Sequence, residues 1–186
     1  MKYKLTTLVL FFSCFCTTVS FSQIESKPLP KYGTEFNYSI SFGAWTLTPS
    51  FTFCGMNNHT FDIGLGTDLG VRGIYGISKS MTGVALIGGY KFYPTGKYQK
   101  LNFYFHYNLK SFFLVSKSNT KSSDRVKSIE HFLGYGFDIP IGKRFYFNHD
   151  LGLGVINAWE ADKSASLKIS LSANFRVGFG YKFGLK

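Results

Sequence analysis

The side chains able to do chemistry are few: His59, His106, His131 and His149, ten acidic residues, and the cysteines Cys14, Cys16 and Cys54. A hydrolase needs a nucleophile, a base and an orienting acid in contact, and no G-x-S-x-G or comparable nucleophile motif surrounds the serines. The histidines and Cys54 show none of the short spacings that metal ligands adopt, so no metal is expected. The runs Gly64-Leu65-Gly66 and Gly152-Leu153-Gly154 lack the following helix of a nucleotide-binding turn and read as close packing in strands, so no cofactor is expected. These residues predict a protein that is not an enzyme.

Before any element can position them, a leader must be set aside. Lys2 and Lys4, the apolar stretch 8–15 and Ser20-Phe21-Ser22 before Gln23 read as a secretory signal peptide over 1–22. Cys14 and Cys16 fall inside it without a lipobox, which leaves Cys54 alone and excludes an intrachain disulfide framework from 23–186. Of the 186 residues, 21 are basic and 10 acidic; losing Lys2 and Lys4 lowers 21 to 19 and the net charge from +11 to about +9. Such a balance favours anionic surfaces such as lipid phosphates, and no basic cluster sits on a nucleic-acid motif. With 19% aromatic residues, 20 Gly and only 5 Pro, the composition favours β-structure. A mean hydropathy of +0.01 is too polar for a bundle of membrane helices.

Alternating apolar and polar residues then predict eight strands, at 34–42, 45–54, 60–71, 81–93, 100–116, 128–141, 144–160 and 165–184. In 60–71, Phe61, Ile63, Leu65, Leu69 and Val71 alternate with Asp62, Gly64, Gly66, Asp68 and Gly70. The run 81–93 is less regular, Phe112 to Val115 loses the alternation, and Pro49 weakens the second strand. A soluble sandwich also alternates, but its solvated face carries many Lys and Glu; here that face is mostly Gly, Ser, Thr and Asn, and the apolar face is large and aromatic. This suits an inside-out barrel with apolar side chains toward hydrocarbon and a filled polar lumen. The expected fold is all-β: a closed, antiparallel, up-and-down transmembrane β-barrel of eight strands over 34–186, preceded by a periplasmic segment at 23–33. An even strand number returns both termini to one side; with that side periplasmic, the turns fall at 55–59, 94–99 and 142–143 and the outer connections at 43–44, 72–80, 117–127 and 161–164.

The leader, the eight runs and the closing Gly178-Phe179-Gly180-Tyr181-Lys182-Phe183 together resemble the small eight-stranded outer-membrane β-barrel proteins of Gram-negative bacteria. The chain departs from that pattern in continuing to Gly184-Leu185-Lys186. The resemblance implies residence in the cell outer membrane, insertion by the barrel-assembly machinery, contact with outer-membrane lipid and lipopolysaccharide, a monomeric state and no nucleic-acid partner. Such barrels include structural, adhesive, ligand-binding and lipid-modifying members, so it does not choose among these roles.

Strand parity assigns a lumen network of Asp62, Asp68, His106, Lys110, Asp138, Arg144, Asp150, Lys168 and Arg176, with Glu35, Lys91 and Lys182 on the same faces. Their mixed signs imply an ion-paired plug. Parity turns His149 toward lipid, where an ionisable group marks a functional candidate; an aromatic interface belt or a bulge-shifted register would also account for it. Arg72, Lys79, Lys117, Lys121, Arg125 and Lys127 make a basic outer rim suited to lipopolysaccharide phosphates. The expected role is structural or surface-interacting. The alternatives are a barrel that binds or modifies a lipid or small hydrophobic ligand, and a soluble secreted barrel of lipocalin type.

Overall fold

The computed structural model describes residues 31–41, 44–56, 58–71, 81–96, 100–116, 125–160 and 168–183. They form β1 (Tyr32–Ser41), β2 (Ala44–Met56), β3 (His59–Val71), β4 (Met81–Phe92), β5 (Asn102–Ser116), β6 (Arg125–Ile141), β7 (Phe145–Glu160) and β8 (Lys168–Phe183). Each strand pairs antiparallel with the next, and β8 returns to β1, closing an eight-stranded up-and-down barrel. The leader and most of 23–33 lie outside the described residues; Tyr32 and Gly33, expected in the segment before the barrel, open β1 instead.

The strands form where the alternation places them because each can put one face on hydrocarbon and the other in the lumen. On β1, Glu35, Asn37, Ser39 and Ser41 are buried inside, while Phe36 is 56% exposed outside. Pro49 lies on the outward face of β2 opposite Phe36, and the β2–β3 register continues unshifted on either side of it, so this proline does not break the strand. Irregularities in the ladders fall between Trp45 and Thr46, between Cys54 and Met56, and between Thr67 and Val71. The outward wall is mainly aromatic and aliphatic, with Leu133, Leu153 and Leu171 exposed by 68%, 74% and 80%. A continuous apolar wall of this kind is stable only against hydrocarbon or a partner surface.

The two ends differ. The connections 57–58, 93–101 and 142–144 share one end with Lys31 and Phe183; the intervals 42–43, 72–80, 117–124 and 161–167 lie at the other, which carries more connecting residues in all. Gly142, with φ of 75°, makes the tight β6–β7 turn, in a left-handed conformation that glycine adopts without strain. At the termini end the β1–β8 seam is covered by rings: Tyr32 lies 5.8 Å from Phe51 and 6.2 Å from Phe183 between centroids. At the other end β1 stops at Ser41 opposite Asn174, whereas β8 extends to Lys168.

Candidate functional site

The interior is layered. Nearest the termini, Glu35 of β1 reaches across to β4 and β7: Lys91 Nζ donates to its Oε1 at 2.6 Å and the Tyr146 hydroxyl donates to the same oxygen at 2.7 Å. Asn37 donates to Glu35 Oε2 at 3.1 Å. Lys91 Nζ also lies 4.0 Å from Asp138 and 4.9 Å above the Tyr104 ring, and the Tyr93 hydroxyl donates to Asp138 at 2.7 Å. The Tyr146 ring occupies space that a side chain at position 180 would need, and Gly180 leaves it free.

One layer up, Arg176 of β8 and Asp150 of β7 are direct cross-strand partners, with Arg176 Nε 2.6 Å from Asp150 Oδ2. The Tyr104 hydroxyl donates to that carboxylate oxygen at 3.3 Å, and Asp62 lies 4.0 Å from the other side of the guanidinium. Asp62 fits because Gly89, its partner on β4, has no side chain in its place. His106 Nε2 donates to the Leu151 carbonyl at 3.1 Å, so Nδ1 accepts from Asn108 at 2.8 Å; both ring nitrogens are used structurally.

Above this lies an amphipathic layer. Lys110 donates to Ser39 at 3.0 Å and Asn174 at 2.7 Å, and Ser41 donates to Glu130 at 3.2 Å. Facing them, Ala85, Ile87, Phe112, Phe132, Ile156 and Ala158 are at most 3% exposed and turn inward from β4 to β7. Lys110 Nζ stands 5.4 Å over the Phe132 ring, joining the two halves. The described interior thus buries six acids, Glu35, Asp62, Asp68, Glu130, Asp138 and Asp150, against three cations, Lys91, Lys110 and Arg176. A chain of net charge +11 has an acid-rich core and carries most of its positive charge elsewhere.

Of the residues that parity assigned to the lumen, Asp62, Asp68, His106, Lys110, Asp138, Asp150 and Arg176 are buried inside the barrel. Arg144 is not: β7 begins at Phe145, so Arg144 belongs to the exposed turn, where it donates to the Tyr181 hydroxyl at 2.9 Å. Lys168 begins β8, and its side chain lies outside the described residues. Arg72, Lys79, Lys117 and Lys121 also fall outside them, as does the side chain of Arg125. Lys127, expected in a loop, stands exposed on the outward face of β6, because that strand starts at Arg125. His149 does face outward, its ring 5.1 Å from Phe175, and the β6–β7 and β7–β8 ladders run through it without a shift, which removes the bulge explanation.

Sequence reasoning missed Glu130 and the buried aromatics. Glu130 has the same parity as Gly134, Gly136 and Asp138, which is the signal that would have placed it inside. Tyr104 and Tyr146 sat on the polar face of their strands, but their hydroxyls count as network members only once the opposite wall is known.

No family model and no curated protein matches the chain. Solved structures do, at low identity. The N-terminal β-barrel domain of Pseudomonas aeruginosa OprF is similar at 14% identity, covering 82% of this chain and 96% of that one with a TM-score of 0.55. Neisserial surface protein A is similar at 12% identity, over 82% of this chain and 96% of that one, with a TM-score of 0.53. The outer-membrane protein AlkL, solved in lipid bilayers, is similar at 12% identity over 90% and 97% of the two chains, with a TM-score of 0.52. The closed ring, the apolar wall and these likenesses agree: the chain has the fold of the small eight-stranded outer-membrane β-barrels.

Proposed function

We propose that this protein is an integral outer-membrane barrel with a closed lumen and a non-catalytic, structural or surface-interacting role, its termini toward the periplasm and its long loops toward the exterior. One observation carries the reading: the ionic layers around Glu35 and Arg176 are capped by the inward Phe112, Phe132 and Ile156, all nearly fully buried. An ion crossing would have to break buried charge pairs and then enter an apolar layer, and both steps are costly. Eight-stranded barrels of this diameter are ordinarily filled by side chains.

Against catalysis stands the use of His106: one ring nitrogen serves the Leu151 carbonyl and the other Asn108, so it has no free lone pair to act as a base. The outward His59 and His131 are bonded to tyrosine hydroxyls at 2.6 and 2.7 Å. Planar-bilayer recording on the purified full chain tests the closed lumen. Conductance at the level of the bare bilayer is expected, and stable channel steps would contradict it.

A further inference from the structure

We propose that the outward wall of β6, β7 and β8 holds one phosphorylated, multiply acylated lipid of lipopolysaccharide type, with an acyl chain over Ala173 and a phosphate at Lys127. The inference rests on the membrane orientation given above and adds a specific site to it. Its first support is a groove of about 660 Å³ on the lipid-facing wall. Ala173 forms the floor, a small residue between the bulky Leu171 and Phe175, and the side chains of Leu133, Leu153, Leu151 and Tyr135 form the walls. A concavity in the barrel wall lets one chain be covered on several sides, where a flat wall would touch only one.

The second support is what lies above the groove on the same two strands. From Leu133 and Leu153 the outward cross-strand pairs run His131 and Val155, Ile129 and Asn157, then Lys127 and Trp159. His131 Nδ1 bonds the Tyr107 hydroxyl at 2.7 Å on this outer face. A polar group facing hydrocarbon is costly, and His131 is satisfied there by Tyr107, whereas Asn157, two pairs above Leu133 and one below Lys127, opens the approach to the level where acyl chains join amides, esters and sugars. From Leu133 to Lys127 is six residues, about 15 Å along the barrel axis at the usual strand rise and tilt. Half the thickness of a bilayer core is also about 15 Å, which brings Lys127 to headgroup level when Leu133 is near the midplane. Trp159 directly opposite Lys127 suits that interface.

Charge completes the match. Among the described side chains no acid is a cross-strand partner of the exposed Lys127 on its outward face: its partners are Phe113 and Trp159. A leaflet built of phosphorylated, many-chained lipid supplies both the anion and the acyl chain, on the side of the long loops.

The test uses the purified full chain reconstituted in phosphatidylcholine vesicles doped with lipid A, re-extracted in mild detergent and weighed by native mass spectrometry. Wild type should keep one lipid A. Lys127→Glu should lower retention by about fivefold or more, as expected for losing one surface cation near an anionic lipid. Ala173→Phe, which fills the groove from outside without touching the lumen, should abolish it, while Leu65→Phe on another part of the wall should change nothing. Equal retention in all variants, equal retention of dephosphorylated lipid A, or equal retention of phosphatidylglycerol would each overturn the proposal. Each variant is also run unheated on a gel: a fast-migrating folded band with unchanged lipid retention removes this site alone, and its absence from wild type removes the membrane-barrel reading beneath it.

Discussion

Arg176 and Asp150 face each other across the β7–β8 ladder, 2.6 Å apart at Nε and Oδ2, with neither side chain more than 4% exposed. A charge pair held by strand register cannot drift apart without moving the wall. Removing one member leaves the other buried and unpaired, so Arg176→Met should destabilise the barrel by about 3–5 kcal/mol in urea unfolding from vesicles. The double variant Arg176→Met with Asp150→Leu should recover a good part of that loss. Strictly additive costs would show that the two side chains do not depend on each other.

Gly180 and Tyr146 are coupled by volume. A methyl at 180 meets the Tyr146 ring, so Gly180→Ala should lower the yield of folded barrel, and adding Tyr146→Ser should restore it. Gly142→Ala, which strains only an exposed turn, should cost about 1 kcal/mol and need no such rescue. The fraction running as a folded band on unheated gels reads all three.

If the apolar layer is the larger of the two barriers in the lumen, trimming it should open the barrel although the ionic layers remain. Phe112→Ala combined with Phe132→Ala should produce conductance absent from the parent. The six buried acids against three cations then set its selectivity: in a salt gradient the reversal potential should indicate preference for cations. Anion preference would mean that residues other than these dominate the path.

Orientation can be read by labelling. In a Cys54→Ser background, Lys127→Cys should react with an impermeant maleimide on intact cells, and Arg144→Cys, in the exposed turn at the other end, only after permeabilisation. The reverse pattern would invert the barrel.

The strands were legible because the two faces meet different media, and two residues per repeat record that difference. Where the record blurs, the structure gives the reason. The irregular fourth run and the lost alternation at Phe112 coincide with Ala85, Ile87 and Phe112 turning into an interior that is itself apolar there. When both faces are apolar, periodicity carries no information. Arg144 was misplaced for a different cause: its parity matches Tyr146, but parity has meaning only inside a strand, and the turn reaches as far as 144. Charge type and strand face showed which residues line the lumen; which acid meets which base depends on barrel stagger, and no single strand contains that.

The most direct measurement is membrane fractionation followed by electrophoresis of unheated and boiled samples. An inside-out closed barrel should be found in the outer-membrane fraction and run faster unheated than boiled. A soluble periplasmic protein with one mobility under both conditions would contradict it, and would make the aromatic wall a surface that some other partner must cover.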